Sequence, residues 1–178
     1  MAPFDQIFTV DLRGLSEGRC RLHLSEPGSK LELPEEQLNI GSDVDVDLTI
    51  DKIGSLLTAS GEVSTVLKFV CARCLEPFEF EVTTEFAAVI RMGRNDYRLE
   101  DEEDTPVEFG DDWISFTPSV RESLILASPM KPLCRDDCQG LCQQCGINLN
   151  ESHCSCPDKE ADPRWGALKT LKEEYRGE

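Results

Sequence analysis

Eight of the nine cysteines in this chain fall in four close pairs: Cys71 with Cys74, Cys134 with Cys138, Cys142 with Cys145, and Cys154 with Cys156. This pattern constrains the fold more than any apolar pattern does. The segment from Leu133 to Pro157 has almost no apolar periodicity, so it cannot build a core from side chains and needs another source of order. Eight thiolates make two tetrahedral sites. Zinc prefers four ligands, accepts all-sulfur shells and brings no redox chemistry to a structural role. Pairs this close suit it, because one tight turn aims both sulfurs at a single ion. The expectation is two structural zinc sites, one joining Cys71 and Cys74 to Cys134 and Cys138, the other joining Cys142 and Cys145 to Cys154 and Cys156. In the second, Gly146 follows the knuckle where a positive φ costs glycine little. Two alternatives stay open: Cys138 combining with the "CQQC" pair, and His153 replacing Cys154 or Cys156. Cys20, alone in a strand-like stretch, is expected to be a plain buried residue.

Other thiol chemistries fit less well. A redox pair wants its attacking cysteine at a helix N-terminus, where the pKa falls, whereas "CARC" sits at a β-turn. An iron–sulfur cluster also takes four cysteines, and spacing alone does not exclude it. Disulfides need an oxidising compartment. The start "MAPFDQIFTVDLRG" has neither the basic end nor the apolar stretch of a secretory signal or presequence, so the expected compartment is the reducing cytoplasm. No apolar run approaches the roughly 18 to 20 residues of a membrane span, and no membrane partner is expected. Both sulfur sites are saturated by protein ligands, which argues against catalytic zinc. With no Gly-rich phosphate loop, no GxSxG elbow and only His23 and His153 as histidines, neither an enzyme nor a small-molecule substrate is expected.

The formal charge is −17, so the protein as a whole repels a nucleic acid duplex. Nine carboxylates against one arginine crowd residues Asn95 to Asp112, which reads as a solvated, partly disordered loop; the rival reading is a decoy for a basic partner. Past Pro129 seven basic side chains face nine acidic ones, so any direct contact with RNA or a partner is expected there, at Lys131, Arg135, Arg164, Lys169 and Lys172.

Strand patterns dominate the first two thirds. "FDQIFTVDLRGL" reads as a strand, and the stretch from Ser16 to Asn39 as short extended pieces broken by Pro27-Gly28 and Pro34. "DVDVDLTIDKI" alternates strictly, with Val44, Val46, Leu48 and Ile50 on one side. "GEVSTVLKFVCARCLEPFEFEVTTEFAAVIRM" reads as a hairpin of two long strands with Cys71 and Cys74 at its turn and Phe78, Phe80, Val82 and Phe86 on one face. A helix is expected over 118–128, with Thr117 as N-cap and Pro118 in first position. A closing amphipathic helix starts at Asp162 and Pro163 and carries Trp165, Leu168, Leu171 and Tyr175 on one side. The fold class is α+β: a twisted, mostly antiparallel sheet with a packed helix and a zinc-stapled, cysteine-rich tail ending in a helix. Residues 1–128 form the body and 129–178 the tail, packed together as one domain.

"CARCLEPF" followed by "PMKPLCRDDCQGLCQQCGINLNESHCSCPDKEADPRWGALKTL" closely resembles the YceD family, the large ribosomal RNA subunit accumulation proteins, over about residues 61 to 172. The resemblance implies a bacterial or plastid ribosome-biogenesis factor, not an enzyme, supporting accumulation or processing of large-subunit (23S) ribosomal RNA, with that RNA or a ribosome-assembly protein as partner. It carries the family's cysteine positions onto the eight paired cysteines above. Gln143 stands where the family's tail knuckle often has proline, and Leu75 stands where a knuckle often has glycine. The alternatives are an acidic adaptor or chaperone for a basic ribosomal protein, and a thiol redox sensor.

Overall fold

The computed structural model describes residues 7–31, 33, 38–92, 97–99, 106–110, 112–157 and 168. Alternation builds its main sheet. Strands β2 (Gly18–Pro27), β3 (Asn39–Ile40), β4 (Asp43–Ile53), β5 (Leu56–Val70), β6 (Pro77–Met92) and β7 (Tyr97–Leu99) make a six-stranded sheet in the order β2-β4-β5-β6-β7, with β3 continuing the β4 edge along β5. Each pairing is antiparallel. The period of two puts Val44, Val46, Leu48 and Ile50 of β4 on the inner face, with Leu57, Val63 and Leu67 of β5 and Val82, Phe86 and Ile90 of β6. Phe78 and Phe80 share that face but are half-buried toward the hairpin tip.

A second sheet joins β1 (Thr9–Asp11), β9 (Trp113–Ser115) and β8 (Glu108–Phe109), again antiparallel. Two sheets therefore replace the single one expected. Among the described residues of "FDQIFTVDLRGL", only Thr9–Asp11 is strand; Leu12–Gly14 turns as a 3-10 helix, and Leu12 N–H donates to Asp112 O at 2.8 Å. The acidic stretch is not simply loop either, since β7 and β8 lie within it. Carboxylates that hide strand character in the sequence do not prevent backbone pairing with a neighbour. The expected break at Pro27-Gly28 is real, but one ten-residue strand precedes it, ending at Pro27 with a 3-10 turn (Gly28–Leu31) beyond. Cys20 on this edge strand is half-buried, not buried.

Helix α1 (Thr117–Ala127) lies on β6 and β5, with Val120 and Leu124 fully buried. Its start differs from expectation: Phe116 is the N-cap, and Thr117 is already helical. The Thr117 hydroxyl bonds the Ile7 carbonyl and Ser115 Oγ instead of capping the helix. Together with Phe116 N–H to Phe8 O at 3.0 Å, this ties the helix start to the N-terminal segment. One continuous core results, running from Ile7 and Phe8 through the inner sheet face to Phe116 and Leu124. Among the described residues no helix is long and apolar enough to cross a membrane. The expected closing helix lies outside the described residues except Leu168, which is helical and exposed.

Candidate metal centres

The tip of the β5–β6 hairpin is a knuckle. Cys71 Sγ accepts the Arg73 N–H at 3.5 Å, Leu75 N–H donates to Cys71 O at 3.0 Å, and Cys71 N–H donates to Glu76 O at 2.9 Å. The same turn recurs in the tail. Cys142 Sγ accepts the Gln144 N–H at 3.4 Å, Gly146 N–H donates to Cys142 O at 2.9 Å, and Cys142 N–H donates to Ile147 O at 2.9 Å. The residue after each second cysteine has a positive φ: 74° at Gly146 and 62° at Leu75. Glycine takes that conformation freely; a leucine there bears a cost of about 1–2 kcal/mol. That knuckle is held despite its residue, by the strands on either side.

Each knuckle meets a second pair. The sulfurs of Cys71, Cys74, Cys134 and Cys138 lie within 4.8 Å of one another, as do those of Cys142, Cys145, Cys154 and Cys156. This is the partition expected from counting; His153 is exposed and belongs to neither group, and Cys138 sits with the hairpin knuckle. Individual separations are 3.8 Å for Cys71–Cys138, 3.7 Å for Cys74–Cys134, 3.5 Å for Cys145–Cys154 and 3.3 Å for Cys142–Cys154. A disulfide needs about 2.05 Å, whereas sulfurs on a tetrahedral ion with bonds of about 2.3 Å stand about 3.8 Å apart. The donor sets therefore fit a tetrahedral ion such as zinc and could hold one each.

The two groups differ in setting. In the first, Cys71, Cys74 and Cys138 are buried, with Phe78, Leu133 and Leu141 packed around them. Ala72 N–H donates to Pro132 O at 2.8 Å, and Arg73 Nη1 donates to Cys138 O at 2.9 Å. Gly140, at φ 74°, brings its backbone so close to the knuckle that a Cβ would stand 3.1 Å from Arg73 O. In the second group Cys145 is exposed and the other three are half-buried. Burial pushes the Cys71 thiol up, but the N–H groups of Cys74, Cys134 and Arg73 more than offset it and bring it down to about 6; burial and its sulfur neighbours push Cys134 up to about 12. The N–H groups of Cys145 and Gln144 likewise bring Cys142 down to about 6, while the Cys154 sulfur pushes Cys156 up to about 12. A bound cation would favour the deprotonated form of all four sulfurs in either group.

Of the basic residues singled out above, Lys131 and Arg135 flank Leu133 and Cys134 and are exposed, Arg135 lying 3.5 Å from Asp137. Arg164, Lys169 and Lys172 lie outside the described residues. Sequence reasoning missed Arg73 and Asn150, whose side chains reach Cys138 across the fold. Neither carries a signal in the linear pattern.

The family model described as "Large ribosomal RNA subunit accumulation protein YceD" matches residues 59–172, a stretch that holds all eight paired cysteines. The chain belongs to the YceD family. It is 30% identical over 128 residues to uncharacterized proteins of Mycobacterium tuberculosis and Mycobacterium bovis, covering 72% of this chain and 61% of theirs. It is 26% identical over 162 residues to the large ribosomal RNA subunit accumulation protein YCED homolog 1, chloroplastic, of Arabidopsis thaliana, covering 76% of this chain and 50% of that one. The chain thus spans about three fifths of the length of the mycobacterial relatives and half that of the plant protein. No solved structure matches it.

Proposed function

We propose that this YceD-family chain is a non-enzymatic, cytoplasmic ribosome-biogenesis factor that supports the accumulation or processing of large-subunit (23S) ribosomal RNA. The observation that carries the reading is the family match across residues 59–172. In this reading Cys71, Cys74, Cys134 and Cys138 hold one zinc ion and Cys142, Cys145, Cys154 and Cys156 hold another. Bound zinc supplies a cross-link and no chemistry, because four sulfur ligands leave no open position for water. The first ion joins residues 1–128 to residues 129–178 as one unit. Contact with RNA or an assembly protein is assigned to Lys131, Arg135, Arg164, Lys169 and Lys172. Depleting the protein should lower large-subunit relative to small-subunit ribosomal RNA; an unchanged ratio would sink the reading. Elemental analysis should give about two zinc per chain. Iron with a brown colour would instead mean a cluster, and no metal with reversible disulfides would mean a thiol sensor.

A second reading, an acidic adaptor for a basic ribosomal protein, is favoured by one row of the main sheet. On the outer face Asp47, Glu62 and Glu85 stand directly opposite one another across β4, β5 and β6, with His23 of β2 at the row's end. Like charges in such positions cost stability, about 0.2–1 kcal/mol per pair. The Asp47 carboxylate, 2.9 Å from His23 Nδ1, raises the imidazole pKa, and this contact relieves that end of the row. Glu62→Lys should therefore stabilise the fold by about 0.5–1 kcal/mol at low salt, and less at high salt. Under the adaptor reading it should also weaken salt-sensitive capture of basic ribosomal proteins in RNA-free extract. Capture that is absent, or indifferent to this change, removes the adaptor reading.

A further inference from the structure

Asn150 belongs to the loop of the second cysteine group, between Cys145 and Cys154, yet its side chain serves the first. Its Nδ2 donates to Cys138 Sγ at 3.4 Å, and its Oδ1 accepts the Gln139 N–H at 2.7 Å. Asn148 Oδ1 steers it, accepting from Asn150 N–H at 3.1 Å and from Asn150 Nδ2 at 2.8 Å. Leu149 N–H to Gly140 O at 2.9 Å and the bridge between Leu141 and Asn148 hold the loop against the strand of residues joining the two groups. An amide donor aimed at a thiolate is a charge-assisted bond, and such outer partners orient a ligand and tune its affinity for a metal.

The loop that carries Asn150 is pinned at both ends by sulfurs of the other group, Cys145 and Cys154, which lie 3.5 Å apart. An ion holding those ends would add to the loop's backbone contacts and fix the donor more firmly relative to Cys138. We infer that Asn150 couples the two centres: filling the Cys142, Cys145, Cys154, Cys156 centre presents the Asn150 amide to Cys138 and raises the zinc affinity of the Cys71, Cys74, Cys134, Cys138 centre. The inference rests on reading both groups as zinc sites. Coupling of this kind is reciprocal, so each ion strengthens the other by the same factor. Asn150 is a positioning residue here, acting on the metal only through Cys138.

The test uses the full chain, with zinc affinity of the first centre read by chelator competition and its sulfur-to-metal charge-transfer bands read after cobalt substitution. Asn150→Ala should weaken the first centre about tenfold or more, within the range of about 10–100-fold for outer-shell partners, and should shift its bands. Asn150→Asp keeps the acceptor for Gln139 but sets a carboxylate oxygen where the donor to Cys138 and to Asn148 Oδ1 stood, so it should weaken the centre and shift its bands; a role confined to shaping the loop predicts unshifted bands. Emptying the second centre with Cys145→Ser and Cys154→Ser should weaken the first about tenfold when Asn150 is present, and should have no further effect in the Asn150→Ala background. Unchanged affinity and bands in the Asn150 variants, or an equal effect of the second centre with and without Asn150, overturns the coupling. A native chain that takes up fewer than two zinc ions overturns the zinc reading itself, and the same titration reveals it before any variant is made.

Discussion

Replacing Cys71 with serine should cost the chain one zinc ion and release the segment from Pro132 to Gly140 from the hairpin tip, while the second centre stays filled. Cys71 is 0% exposed and lies 3.8 Å from Cys138, so nothing from solvent can take its place without opening the cluster. A serine hydroxyl is shorter, harder and still protonated at neutral pH, which makes it a poor ligand for an ion that favours thiolate. Structural zinc contributes on the order of 10–16 kcal/mol in small zinc domains, and here the apolar support is slight: Phe78, Leu133 and Leu141 are the side chains around the sulfurs. Elemental analysis should fall from about two zinc to about one. The Ala72 amide, which donates to Pro132 O, should lose hydrogen-exchange protection, while amides in the middle of β5 keep theirs. Coupling through Asn150 weakens the second centre only by the tenfold factor above, too little to empty it at stoichiometric zinc. Loss of both ions, or of neither, would refute the division into two centres.

Phe86→Ala should lower the unfolding free energy by about 3–5 kcal/mol, the usual range for deleting a buried phenylalanine ring. Phe86 is 6% exposed, and its ring stands 5.8 Å from that of Phe116 with an interplanar angle of 32°. It also covers Gly61 on the neighbouring strand, where an added Cβ would come within 2.4 Å of the ring. The ring thus fills the gap that a glycine leaves in the middle of β5, and it joins the main sheet to the start of α1. Removing it leaves a cavity at the junction of three elements, where the backbone cannot collapse to fill it. Against a typical stability of about 5–15 kcal/mol, the loss would bring a chain at the lower end close to unfolding. Urea denaturation followed by circular dichroism measures it. Gly61→Ala added to Phe86→Ala should recover part of the loss, because the space that forbade a Cβ is then open. A change below about 1 kcal/mol would mean that the ring is not part of the core.

What could be read from the residues alone follows from the range of the interactions. Strand β4 and the β5–β6 hairpin were legible because alternation is a local pattern and the two long arms lie either side of one turn. The two sulfur groups were legible by counting, and the grouping in space agrees with the preferred partition. Thr117 misled because threonine before proline is an ordinary helix opening; only the fold brings the Ile7 carbonyl within reach of its hydroxyl. The small sheet was invisible, since Thr9 pairs with Ser115 and nothing in either segment names the other. Strands β7 and β8 were hidden by the carboxylates around them. Asn150 was hidden because its donor points at a cysteine of the other group, a direction that depends on how the loop folds.

The pairing of Thr9 with Ser115 and the gathering of Cys71 and Cys74 with Cys134 and Cys138 also set a timetable. During synthesis the long hairpin can form as soon as β6 has emerged, but the first strand must wait for its partner through more than half of the chain. The hairpin knuckle waits over fewer residues but is completed later still, since its last sulfur neighbour is Cys138. The second group closes over a short stretch of sequence, and short loops close at little entropic cost. A growing chain would therefore carry an open inner sheet face and a pair of unmatched thiols until its final third appears, and would then seal its core and its sulfur clusters almost together.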